Sequence, residues 1–254
     1  MTRLLKALTV ALAVLCTVTA AQSALALSER DKAQVEQIIS DYLKNNPKVL
    51  QEMIDRLQAH NTREASINAE KKIIANKVAV LGSDGAMVAG NPSGDVTVVE
   101  FFDYRCGYCR MAQPSMARLL EEDPDVRVVF KEYPVLGPQS ITASRAAIAS
   151  ARQGKYVEFH MALMGLEEAL NDDVLYRVAG EVGLDVAKLK QDMKDEAIDE
   201  VIAENHELAD KLGIEGTPNF IIGTQLVQGM VPYETLTEYV EKARKTKSLK
   251  PVEG

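Results

Sequence analysis

Val96-Thr97-Val98-Val99-Glu100-Phe101-Phe102-Asp103-Tyr104-Arg105-Cys106-Gly107-Tyr108-Cys109 is the stretch on which the architecture of this chain turns. Val96 to Phe102 is β-branched and aromatic and reads as a buried strand. Asp103-Tyr104-Arg105 makes a brief loop, and a helix is expected from about Gly107 to Leu120. A C-x-x-C pair that follows a strand and opens a helix places its first sulfur at the helix N-terminus. There the macrodipole and the free backbone N–H groups favour an anion. Cys106 is therefore expected to be the more acidic and exposed thiol and the attacking nucleophile. Such settings lower a cysteine pKa to roughly 3.5–7.5. Cys109, about one turn further in, is placed to resolve a mixed disulfide.

The beginning of the chain bears on how these thiols are used. Arg3 and Lys6 form a positive start, Leu8 to Val18 an apolar run, and Ala24-Leu25-Ala26 a small-x-small cleavage pattern. The run falls short of the ~20 residues of a membrane span, so residues 1–26 are expected to be a cleaved signal peptide. Leu15 ahead of Cys16 speaks against lipidation. Cleavage would remove Cys16, leaving Cys106 and Cys109 as the remaining cysteines. An exported chain whose cysteines are one C-x-x-C pair does not use disulfides as a framework. Half of a zinc site is the usual alternative, but no second cysteine pair exists, and His60, His160 and His206 are scattered. The chain carries 29 basic and 37 acidic residues. Losing Arg3 and Lys6 takes the net charge from -8 to -10, which argues against nucleic acid as a partner.

Working outward, residues 27–85 are expected to form a helical N-terminal oligomerisation arm. Val35, Ile38, Ile39, Tyr42 and Leu43 follow helical spacing, and Val49, Leu50, Met53, Ile54 and Leu57 make a second apolar face. Asn46 is a candidate N-cap ahead of Pro47, and a third helix is expected from Thr62 to Val80. Downstream, strands are expected at Ala86 to Ala89, Val126 to Tyr133, Phe220 to Ile222 and Gln225 to Val227. A helical block at about 140–212 is read as Ile141–Ala151, Val157–Leu170, Val174–Val182, Val186–Met193 and Ile198–Leu212, and Tyr233 to Arg244 closes the chain. The order is β-α-β, helices, then β-β-α, which one sheet can hold.

Gly216-Thr217-Pro218-Asn219-Phe220 is the second signal, a Thr-Pro bond just before a buried strand. Together with Val99 to Cys109, and a helical insertion between the two, it resembles the DsbA family of the thioredoxin superfamily. Lys131-Glu132-Tyr133-Pro134-Val135-Leu136-Gly137 is also similar to a segment common there. The likeness spans about Ala86 to Thr246. With the N-terminal helices included, the chain resembles the suppressor-of-copper-sensitivity C branch. The resemblance implies an α/β thioredoxin fold over residues 86–250, with an inserted helical domain and the N-terminal extension. It implies that Pro218 is cis beside the dithiol, and that the Thr217 backbone hydrogen-bonds a bound polypeptide. It makes Glu100 a buried acid able to move the proton of Cys109, with Asp103 a weaker candidate and a strand-edge carboxylate in solvent the plain alternative. Lys131 is either a partner for Glu100 across neighbouring strands or solvated.

The oxidase DsbA carries Pro-His between its cysteines and Val before its cis-proline. Gly107-Tyr108 and Thr217 are instead similar to the isomerase DsbC. Without an imidazole beside the thiolate, Cys106 is expected to be less acidic and the site less oxidising. The expectation is a periplasmic disulfide isomerase or reductase acting on exported polypeptides. Its working group is the Cys106–Cys109 couple, with no other cofactor; a membrane redox partner resets it, and it is a homo-oligomer, trimer or dimer. The alternatives are a DsbA-like oxidase, a copper-binding protein holding Cu(I) at Cys106 and Cys109, and an envelope scaffold. Met111, Met116, Met161, Met164 and Met230 are soft ligands by chemistry and core filler by habit.

Overall fold

The strand Val96–Phe102 (β2) is buried along its whole length, as an apolar strand in the middle of a sheet must be. In a computed structural model, which describes residues 28–82, 87–246 and 249, it pairs in parallel with β3 (Val126–Glu132) and antiparallel with β4 (Asn219–Ile222). Short β1 (Val88–Gly90) adds antiparallel to β3, and β5 (Gln225–Gln228) adds antiparallel to β4. The sheet order is β1-β3-β2-β4-β5. Side chains of β2 alternate between faces. Val98 and Phe102 enter one apolar cluster, and Val99 and Phe101 a second with Ile73, Val80, Leu208 and Ile221.

The parallel β2–β3 pair is joined by α4 (Gly107–Glu122), the crossover such a pair requires. Between β3 and β4 lie α5 (Pro138–Ser150), α6 (Tyr156–Met164), α7 (Asp172–Glu181), α8 (Val186–Asp192) and α9 (Ala197–Leu212). This is the expected helical insertion. Gly213, in the left-handed region, ends α9. The last helix, α10 (Tyr233–Thr246), follows β5. The helix expected over Val157–Leu170 stops at Met164, where Gly165 caps it, and Asn171 starts α7 by accepting from Val174 N. The first strand lies at Val88–Gly90 rather than Ala86–Ala89.

At the N-terminal end, α1 (Glu29–Asn45) is capped by Ser28, whose Oγ accepts from Asp31 N at 3.2 Å. Asn46 does not cap the next helix with its side chain; its Nδ2 donates back to Tyr42 O at 2.8 Å. The second and third helices expected from the sequence are one, α2 (Pro47–Ala75), because Gln58 to Asn61 contain no glycine or proline to stop it. Asn76 breaks it, and α3 (Lys77–Leu81) follows. The chain divides into compact units at Thr62, not near residue 85. Ile73 and Val80 are committed to the sheet's second cluster and so belong with the unit that holds the sheet. In the first unit no side chain of α1 is buried, and Ile38, Met53 and Leu57 are 62%, 63% and 58% exposed. Among the described residues no helix is long and apolar enough to cross a membrane. The expected signal peptide lies outside the described residues.

Candidate functional site

The end of β2 delivers Asp103-Tyr104-Arg105, and Cys106 becomes the N-cap of α4 with extended backbone. Both cysteines are free thiols. Cys106 Sγ donates to the main-chain oxygen of Thr217 at 3.2 Å, and the Thr217–Pro218 bond is cis. Cys109 is wholly buried, and Cys106 is 7% exposed. The Cys106 pKa is lowered to about 5, above all by the hydrogen bond from the Cys109 thiol. The Thr217 side chain and the N–H groups of Cys109 and Tyr108 add to this against the opposing effect of burial. The same sulfur–sulfur hydrogen bond, then burial and the charges of Glu100 and Cys106, push the Cys109 thiol up. The two thiols are thus split into one anion-ready sulfur and one that holds its proton. Tyr108 is 65% exposed, and a Cβ on Gly107 would meet nothing within 4 Å. The rim between the cysteines is open.

Glu100 is buried in β2, opposite Phe130 and Phe220, and is not a solvated strand-edge carboxylate. Its pKa is raised to about 8, chiefly by burial and then by the Cys106 charge. Lys131 does not pair with it. The β2–β3 register sets Lys131 against Phe101, which puts it on the opposite face from Glu100. Burial lowers the Lys131 pKa to about 8, with Glu204 opposing. Both oxygens of the Asp103 carboxyl are taken up by hydrogen bonds. Its Oδ1 accepts from Arg105 N (2.7 Å) and Ser140 Oγ (2.8 Å), and its Oδ2 from Val135 N (2.8 Å) and Leu136 N (2.9 Å). It braces the active-site loop to the turn after β3. Met116 and Met164 are buried in the first core cluster, Met161 and Met230 pack against it, and Met111 is exposed. His160 is buried and His206 lies against Tyr133. Among the described residues no group of three His, Cys, Asp or Glu side chains can hold a metal ion.

A second buried carboxyl went unnoticed in the sequence. Glu132 Oε1 accepts from Tyr104 at 3.0 Å and from Tyr156 at 2.8 Å. Burial raises its pKa to about 8. Its signal was strand alternation, since Glu132 falls in phase with inward-facing Val126, Val128 and Phe130.

These groups set a pH dependence whose sign can be worked out. Glu100 and Glu132 have raised folded-state pKa values, so their contribution is full below about 4.5 and is lost as pH rises toward about 8. Cys106 has a lowered one, so it adds stability with rising pH between about 5 and 9. His160 and Lys131, both lowered by burial, oppose the carboxyls as Cys106 does, so from about pH 6.5 to 7.5 the reduced protein should lose only about 0.6 kcal/mol of unfolding free energy. Glu100→Gln should reverse the sign of the change over the same interval, by urea unfolding. A slope unchanged in the variant would refute the assignment of Glu100 as protonated in the fold.

Comparison with known proteins fits this geometry. A family model described as DSBA-like thioredoxin domain matches residues 97–241, and one described as Copper resistance protein ScsC N-terminal domain matches residues 31–64. The crystal structure of a thioredoxin-like oxidoreductase from Silicibacter pomeroyi DSS-3 is 47% identical, with a TM-score of 0.64 over 66% of this chain and 96% of that one. A linker-deleted ScsC from Proteus mirabilis is 25% identical, with a TM-score of 0.65 over 87% of this chain and 98% of that one. A Na(+)/H(+) antiporter, NhaA 3 of Salinispora tropica, is 31% identical over 201 residues, which is 78% of this chain and 31% of the antiporter. The chain spans less than a third of the length of the antiporters it matches.

Proposed function

Because the chain belongs to the DSBA-like thioredoxin domain family and is a thiol–disulfide oxidoreductase of that type, we propose that it works in the periplasm as a self-associated disulfide isomerase on exported polypeptides. The observation that carries this reading is the split between the two thiols. The Cys106 thiolate attacks a substrate sulfur; the substrate S–S bond breaks, a mixed disulfide forms, and the substrate's other sulfur leaves as a thiolate. That thiolate, or another in the client, then attacks the mixed disulfide and releases Cys106, a shuffle with no net electron transfer. In the competing reductive exit, Cys109 attacks Cys106 and two electrons pass to the client. In the mixed disulfide the hydrogen bond and charge of Cys106 no longer act on Cys109, but burial still raises its thiol, so this exit waits on a base and leaves time for shuffling. We read Glu100, kept protonated by burial in the reduced protein, as that base once it has ionised. Part of what raises its pKa is the Cys106 charge, and that charge is gone in the mixed disulfide. Gly107, Tyr108, Thr217 and Pro218 form the rim that tunes the thiolate and receives the client chain. A membrane redox protein resets the couple.

Self-association is supported by the exposed stripe Val35, Ile38, Ile39 and Tyr42 on α1, with Leu50, Met53, Ile54 and Leu57 on α2. Apolar stripes at this spacing are covered by partner helices. The test uses reduced protein, scrambled ribonuclease and no added oxidant. Wild type should reactivate the ribonuclease and scatter light as a trimer or dimer. Ile38→Glu with Met53→Glu should give a monomer with isomerase activity reduced about tenfold or more and with Cys106 alkylation unchanged. A wild-type monomer well above micromolar concentration, or a monomeric variant with full isomerase activity, would sink the reading. Activity on reduced ribonuclease alone would mean an oxidase. Absence of thiol turnover with tight Cu(I) binding would mean a metal carrier.

A further inference from the structure

Tyr104 sits two residues before Cys106 and is wholly buried. Its main-chain oxygen accepts from Arg110 Nε (3.1 Å) and Nη2 (3.0 Å), so it is tied to the helix that carries Cys109. Its hydroxyl lies 3.0 Å from Glu132 Oε1 and 3.1 Å from His160 Nδ1. Glu132 in turn joins four elements. Tyr156 of α6 donates to its Oε1 at 2.8 Å, Asn205 of α9 donates to its main-chain oxygen at 3.1 Å, and Ser144 of α5 faces it. Neither Ser144 Oγ nor Glu132 Oε2 makes a hydrogen bond of normal geometry. One carboxyl at the end of β3 therefore connects the helical insertion to the loop that presents the nucleophile.

We infer that Glu132 is a positioning residue for the dithiol, one that passes its charge state to Cys106 through the Tyr104 hydroxyl. This rests on the reading of Cys106 as the attacking thiol. A tyrosine has one hydroxyl proton to give. With Glu132 ionised, that proton is drawn to Oε1. With Glu132 protonated, it is released to turn toward His160 Nδ1. Burial keeps His160 neutral, its pKa lowered to about 3, so the ring stays an uncharged partner in both states. The titratable groups facing Glu132 are Tyr104 and Asp103 from the active-site loop and Tyr156 from α6, with His160 next along the chain. Helices α5 and α9 contribute the uncharged Ser144 and Asn205. Tyr104 and Tyr156 are both raised well above the ordinary tyrosine range by burial and by Glu132, so over neutral to mildly alkaline pH the group that changes charge in this cluster is Glu132.

The readout is the iodoacetamide rate at Cys106, mapped by peptide mass, from about pH 6.5 to about pH 9.5. The Cys106 thiolate is already formed over this range, so its own titration adds no step. Glu100 titrates in the same range, and it is removed by working throughout in Glu100→Gln. In that background, ionisation of Glu132 should lift the Cys106 pKa and make the formed thiolate more nucleophilic. The rate should rise with pH by about threefold for each unit transmitted. Adding Glu132→Gln should flatten the profile, and adding Tyr104→Phe, which keeps the carboxyl but cuts the connection, should flatten it too. Should Glu132→Gln fail to fold, Tyr104→Phe decides. A flat profile in Glu100→Gln alone would overturn the proposal, as would a step undiminished by Glu132→Gln or by Tyr104→Phe. Labelling of Cys109 ahead of Cys106 would overturn the thiol assignment, and the proposal with it.

Discussion

Cys106→Ser will abolish thiol exchange altogether, while Cys109→Ser will keep the attack and lose the escape. The first removes the anion-ready sulfur that hydrogen bonds from Cys109 and Thr217 hold near pKa 5, and a serine hydroxyl offers no comparable anion at neutral pH. The second leaves Cys106 able to open a client disulfide with nothing in the protein to displace the adduct. Mixed disulfides should therefore accumulate and appear on non-reducing gels, disappearing with excess dithiothreitol. Cys109→Ala adds a finer test. The hydrogen bond from Cys109 is the largest cause of the low Cys106 pKa, so without it the thiolate absorbance should titrate at clearly higher pH. Preferential alkylation of Cys109 in the reduced wild type would reverse the roles assigned here.

Asp103→Ala should be the most destabilising single change near the site. It strips the acceptor from four donors, Arg105 N, Val135 N, Leu136 N and Ser140 Oγ. A buried donor left without a partner costs about 1–3 kcal/mol. Allowing for water entry and local relaxation, the total should be roughly 4 kcal/mol, at the upper end for point changes. The damage should also reach reactivity, because the same carboxyl sets the turn from which Cys106 N donates to Asp103 O at 3.0 Å. Urea unfolding measures the first effect and the spread of Cys106 alkylation rates the second. A loss under about 1 kcal/mol would mean that Asp103 is not a brace.

The strand–loop–helix unit around the dithiol was legible because each of its parts carries a local signature. The β-branched run matched β2 at Val96–Phe102 residue for residue, and Cys106 occupies the helix start that the spacing implied. What escaped were facts of register and of tertiary hydrogen bonding. Whether Lys131 meets Glu100 depends on a one-residue offset between β2 and β3 that neither strand encodes alone. Asp103 was the weaker candidate for a proton carrier, but three of its four partners come from 32 to 37 residues downstream. The run of α2 through Thr62 was missed for the opposite reason. His60, Asn61 and Thr62 have only modest helix preference, yet with no glycine or proline among them the helix runs on.

The contact between Cys106 and Thr217 joins positions 111 apart in the chain. An unfinished polypeptide that has emerged only as far as α4 already contains both cysteines, but not the Thr217 side chain that helps make one of them acidic. Closing so long a loop comes late relative to the short-range β2–α4–β3 contacts. Full reactivity is therefore tied to completion of the domain. A nascent chain that has formed only α4 keeps the larger, local contribution of Cys109 but lacks that of Thr217, so its Cys106 is a less acidic thiol than that of the finished domain.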